Sequence, residues 1–114
     1  MSSKISFEGI GEVVATFGCG EGVAPGQVVK VTEDGMVGAC AATDKFCGVA
    51  LSAEGGYAAV QLAGLVKVSV TDGSVSVGWV KLAADGSGGV KKDDSNGREH
   101  LVVRVETDGA VVRL

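Results

Sequence analysis

An all-β fold, a small barrel or sandwich of short antiparallel strands, is predicted by three observations. Apolar runs of strand length recur along the chain, each closed by a turn built on Gly or Asp. The chain holds 19 glycines and one proline, far above the roughly 7% Gly of an average chain, without a collagen-like period. No stretch of helix length carries a 3.6-residue apolar stripe. Val and Ala dominate a composition that is 46% hydrophobic and 4% aromatic, so the core is expected to consist of small side chains in thin layers. At 114 residues one domain is expected over 1–114.

Each element follows from local chemistry. Residues 1–8 form a polar arm in which Ile5 and Phe7 alternate, suited to a flexible arm or an edge strand whose fate depends on a partner. The β-branched run 10–17 reads as a strand closed by Gly18-Cys19-Gly20-Glu21-Gly22. The strand 27–32 ends at Glu33-Asp34-Gly35, a hairpin signal of the Asp-Gly type, and 36–42 returns. The strand 46–52 turns at Glu54-Gly55-Gly56 into 57–62, and the alternating 65–70 stops at Thr71-Asp72-Gly73. The strand 79–83, a Gly-rich turn at 85–89, a short return at 90–91, a polar loop at 92–97 and a closing hairpin of 99–106 with 110–114 complete the chain.

These elements repeat. Segment 26–62 is echoed by 78–114: both open on Gly, Val and Lys, turn at Asp34-Gly35 or Asp85-Gly86, and close with Glu54 or Glu106, a Gly-containing turn and a strand ending in Leu. Two copies of one unit predict a pseudo-two-fold barrel in which each covers the apolar face of the other. The copies differ at Gln27 against Trp79 and in the polar loop 92–97, which is where a partner would be sought.

Charge and motif content bound the function. A net charge of −4, with Lys91-Lys92 answered at once by Asp93-Asp94, leaves no cationic patch for nucleic acid. No apolar run approaches the roughly 18 residues of a spanning helix, and 1–20 lacks an apolar leader region, so neither a membrane helix nor export is expected. Cys19, Cys40 and Cys47 read as reduced, small apolar residues, because a zinc site with His100 would call for close Cys pairs that are absent. His100 is the one histidine, placed by alternation on a strand face with Val102, near a surface or subunit contact; no nucleophile motif accompanies it. Asp and Glu cluster in turns, where their side chains bond nearby backbone, and 93–97 lacks the spacing of a calcium loop. No G-x-G-x-x-G leads into a helix. The residues therefore predict no enzyme and no cofactor, metal or small-molecule substrate. Trp79 and Tyr57 are the only large amphipathic aromatics, suited to filling the core or anchoring an interface.

The words PGQVVKVTEDGMVG (25–38), FCGVALSAEGGYAAVQLAGLVKV (46–68), GWVKLAADGSGGVK (78–91) and LVVRVETDGAVVRL (101–114) resemble the small all-β capsid decoration, or head-stabilising, proteins of tailed bacteriophages and prophages. That resemblance implies a non-enzymatic protein, made in the bacterial cytoplasm, that binds the outside of the virion shell, commonly as a homotrimer, and clamps neighbouring major capsid subunits. Ile5, Phe7, Tyr57 and Trp79 are then the candidate interface residues. A second resemblance, of GEGVAPGQVVK (20–30) and TDK (43–45) to a lipoyl-bearing carrier module, implies Lys45 as a modified residue; Phe46-Cys47-Gly48 departs from that pattern.

Overall fold

The computed structural model describes residues 11–114; Ile5, Phe7 and the rest of the arm lie outside the described residues. Ten strands and no helix make up the described chain: β1 (Val13–Cys19), β2 (Val28–Glu33), β3 (Met36–Ala39), β4 (Gly48–Glu54), β5 (Tyr57–Ala63), β6 (Leu65–Ser69), β7 (Gly78–Ala84), β8 (Val90–Lys92), β9 (Arg98–Val105) and β10 (Gly109–Arg113). The expected all-β class holds.

The strands form two sheets with one pairing pattern. β3-β2-β4-β5-β1 is the order in the first, and β8-β7-β9-β10-β6 in the second. Numbered within each half, both orders are third, second, fourth, fifth, first. The repeat is thus longer than the sequence echo, since β1 and β6 belong to it as the strands that lie antiparallel to β5 and β10. In the first half a parallel pairing of β1 with β3, Gly18 opposite Met36 and Cys19 opposite Val37, closes a five-stranded barrel. The matching contact in the second half is a single parallel bridge between Val70 and Val90, so the second sheet remains an incompletely closed trough.

Alternation decides what fills each space. Along β2, Val29 points into the barrel with Cys19, Val37, Ala50, Ala58 and Val60, while Val28 points out. Val28, Val49, Cys40 and Phe46 on the outside of the barrel join Val68, Val80, Leu82, Val90, Val102 and Val112 of the second sheet in one buried cluster. The trough is filled by the barrel's outer face, so the two copies do not share one pseudo-two-fold barrel as expected: the first closes on itself around its own residues and covers the second. Backbone bonds stitch the seam: Val28 N–H donates to Gly88 O at 3.0 Å, Thr43 N–H to Ala84 O at 2.9 Å, and Ala84 N–H to Asp44 O at 2.9 Å.

Turn chemistry matches the sequence. Gly35 sits at φ 71° in the Asp-Gly hairpin between β2 and β3, a conformation that costs Gly little. Gly48 has a different reason to be Gly, because a Cβ there would lie 2.3 Å from Gln61 O and 2.8 Å from Val60 Cγ1. The close approach of β4 to β5 depends on its bare backbone.

Candidate functional site

Tyr57 and Trp79 are both exposed, at 64% and 59% of their full surface. Neither is a core residue, and they stand on different halves. Tyr57 opens β5 on the barrel, opposite Gly18 of β1 and Glu54 of β4. Beside it, a shallow cleft of about 280 Å³ is lined by Cys19, Glu21, Val23 and Ala53 together with Glu54 and the Gly55-Gly56 turn. The barrel half, residues 11–63, sets Lys30 and Lys45 against six carboxylates. All of the chain's excess negative charge therefore resides on the half that carries Tyr57.

Trp79 stands on the outer face of the second sheet, because Val80 and Leu82 take the inner positions of β7. Register carries that face across four strands: Trp79 is opposite Leu101, Leu101 opposite Arg113, and Arg113 opposite Leu65. The Arg113 guanidinium lies over the indole, 5.5 Å from the ring centroid, in the cation–π arrangement. Further along the face, Lys67 and Arg104 both reach Glu106, at 2.9 and 3.4 Å.

The indole also borders a second cleft, of about 270 Å³, whose other walls include Ser74 and Ser76 of the β6–β7 loop, Lys81, Lys92, Asp94 and Glu99. Two turn aspartates shape it. Asp72 accepts Ser74 N–H at 2.9 Å, the Ser74 hydroxyl at 2.6 Å and Lys92 N–H at 2.9 Å. Asp93 accepts the N–H groups of Ser95 and Asn96, and its own N–H donates to Lys81 O at 2.9 Å. Hydrogen bonds to Ser74 hold the Asp72 carboxyl below its ordinary range, and those to Asn96 do the same for Asp93. Both act as anionic turn caps, as their sequence context predicted.

His100 departs from expectation. Only 3% exposed, it lies in the seam between the halves, where β9 turns the same face inward as Val102. Its ring stacks on Phe46, with centroids 4.9 Å apart and planes 12° from parallel. Nδ1–H donates to Arg113 O at 3.1 Å, which fixes the tautomer. Nε2 is buried without a hydrogen-bond partner. Burial lowers the pKa of the ring and Arg98 adds to the effect, while the Arg113 carbonyl opposes them.

The three thiols are free. Burial pushes Cys40 up to about 11, with Asp44 adding to the effect, and raises Cys47 as well; both therefore remain protonated thiols at neutral pH. Lys45 is exposed in the β3–β4 loop, between Asp44, whose carbonyl is bound to Ala84, and buried Phe46. That loop belongs to the seam and is not a projecting hairpin tip. Among the described residues no three His, Cys, Asp or Glu side chains converge as a metal site.

Neither a family model nor a curated protein matches this chain.

Proposed function

We propose that this chain is a non-enzymatic structural protein of a bacteriophage or prophage virion, one that binds the outer surface of the capsid, stabilises it and self-associates as a homotrimer. The observation that carries the reading is the division of labour in the scaffold. Both halves commit their inward faces to packing, and each leaves an amphipathic aromatic outside, Tyr57 on the barrel and Trp79 on the second sheet. Exposed Tyr and Trp on a rigid scaffold are characteristic anchors of protein contacts. The family-like wording of the strands supplies the identity of the partner, a major capsid protein.

The barrel is the half best suited to the shell. It is closed, it presents Tyr57, and it carries the net negative charge, which favours a cationic partner surface and makes binding weaken as salt rises. Ile5 and Phe7 in the arm add a strand to the capsid surface in this reading. A trimer repeats each contact, so weak individual contacts sum by multivalency.

The test uses capsids stripped of this protein. Wild type is expected to co-sediment with them, to raise their melting temperature, and to release progressively with salt. Tyr57→Ala is expected to weaken binding by about tenfold, equivalent to 1.4 kcal/mol, without altering the melting temperature of the free protein. No co-sedimentation together with a strictly monomeric mass by light scattering would sink the proposal.

A further inference from the structure

We infer that the cleft beside Trp79 is a binding site for a neutral saccharide. Its position is the first argument. Two of the sequence differences between the copies, Trp79 against Gln27 and the 92–97 loop, both contribute walls to it, through Trp79, Lys92 and Asp94. The first half has an exposed tyrosine but neither this indole nor this loop.

The chemistry of the walls gives the ligand class. An indole offers a flat apolar plate, and Arg113, which lies over it, is not among the walls of the cleft that the indole borders. The C–H face of a sugar ring is complementary to such a plate. Around it stand two ammonium groups, Lys81 and Lys92, two carboxylates, Asp94 and Glu99, the Ser76 hydroxyl, and the Ser74 hydroxyl, whose proton goes to Asp72 and which is left as an acceptor. Among the lining side chains two positive and two negative charges cancel, and the anionic caps Asp72 and Asp93 are already committed to Ser74 and to backbone N–H donors, so the walls select neither an anion nor a cation. They nevertheless offer strong donors and strong acceptors at short range, and a polyol uses both, since every hydroxyl donates one hydrogen bond and accepts others. None of these four charged side chains forms an ion pair with another described residue. At about 270 Å³ the cleft has room for a sugar ring.

The site is also organised in advance. Asp72 ties the β6–β7 loop, through Ser74, to Lys92 at the end of β8, and Asp93 ties the 92–97 loop to Lys81 on β7. Walls fixed before the ligand arrives reduce the ordering cost of binding. With Trp79 given to a ligand, the protein contact of the capsid reading rests on Tyr57 of the barrel.

Trp79 is the only tryptophan, so its emission reports this cleft alone. The experiment titrates the full-length protein with glucose, galactose, mannose and N-acetylglucosamine, with glucosamine and glucuronic acid as charged controls, and follows Trp79 fluorescence and saturation-transfer NMR. A saturable change with at least one neutral sugar is expected, with the charged sugars no better. The double variant Asp94→Asn, Glu99→Gln should weaken it about tenfold with an unchanged melting temperature. Trp79→Ala should abolish the NMR signal. Absence of any saturable response across the panel, binding that survives Trp79→Ala, or a native-state emission shielded from acrylamide because another subunit covers the indole would each overturn the inference. Capsid co-sedimentation is read separately, so the two proposals fail independently.

Discussion

His100 holds an unusual balance for a lone buried histidine. Stacking on Phe46 and the bond to Arg113 O use the ring's face and its Nδ1, while Nε2 has nowhere to place a proton without creating a buried cation. The groups around it do not compensate such a charge. Phe46 faces it from the β3–β4 loop, Val80 lies opposite on β7, Arg113 contributes only its carbonyl, and Arg98 on its own strand is a like charge. The folded pKa is therefore below the ordinary 6.5, and the sign of the linkage follows. As pH falls below 6.5 the unfolded chain takes up a proton that the folded chain refuses, so stability declines from there until the folded pKa is passed, by at most about 1.4 kcal/mol per pH unit. Asp44, Asp72, Asp93 and Glu106 also have lowered values, but they start from 3.8 or 4.5 and their contributions are lost only at more acid pH. Urea midpoints measured across this range should fall between pH 6.5 and the carboxylate region in wild type and remain level in His100→Phe. A slope that persists in the variant would remove His100 as its source.

At the scale of elements, the β3–β4 loop matters more than its irregular backbone suggests. It carries Cys40 and Phe46 into the second half's cluster, and Thr43 and Asp44 bond to the end of β7. Phe46 is 4% exposed and is the largest apolar side chain that the barrel lends to the trough. Phe46→Ala should cost about 3–5 kcal/mol, a large share of the 5–15 kcal/mol that stabilises a domain. The check is a lowered denaturant midpoint at unchanged m; a loss under about 1 kcal/mol would mean that the loop merely covers the seam. The importance of this loop was not legible in the chain, and the reason is physical. Period-two alternation and Asp-Gly turns are local, so strands such as β2, β5 and β9 and their hairpins could be read directly. Alternation says that Val28 and Val29 face opposite ways, but not that Val28 meets another sheet while Val29 meets its own barrel. The parallel contact of β1 with β3 and the membership of β1 and β6 in the repeat rest on long-range register with no turn motif to announce it. His100 read as a surface strand residue because its burial is supplied by Phe46, 54 positions earlier in the chain. For the clefts, the sequence signalled Trp79 and the 92–97 loop as separate oddities; only the pairing of β7 with β8 and β9 brings them together.

For the molecule as a whole, the decisive asymmetry is that one half is a closed barrel and the other an open trough with the same strand order. The barrel owns a small interior cluster of six buried residues, Cys19, Val29, Val37, Ala50, Ala58 and Val60. The second sheet's interior is completed by Val28, Cys40, Phe46 and Val49, all borrowed. Unfolding the barrel first would empty the trough and leave Val68, Leu82, Val102 and Val112 facing water. Unfolding the trough first would expose Val28, Val49 and Phe46 on a barrel whose own core is small. Each order costs shared apolar burial at roughly 25 cal/mol per Å², so the halves should unfold together despite their internal duplication. The chain supplies its own probes, since its one Trp lies in the second half and its one Tyr in the first. Thermal unfolding followed by Trp79 fluorescence and by Tyr57 near-ultraviolet absorbance should give coincident midpoints, and calorimetric and van't Hoff enthalpies should agree. Midpoints that separate, with Trp79 released first, would show that the barrel stands alone and that the shared cluster contributes less than its burial indicates. Coincidence would instead mean that a force applied to either outer face, at Tyr57 or at Trp79, is resisted by the stability of the entire chain, as the proposed capsid role requires.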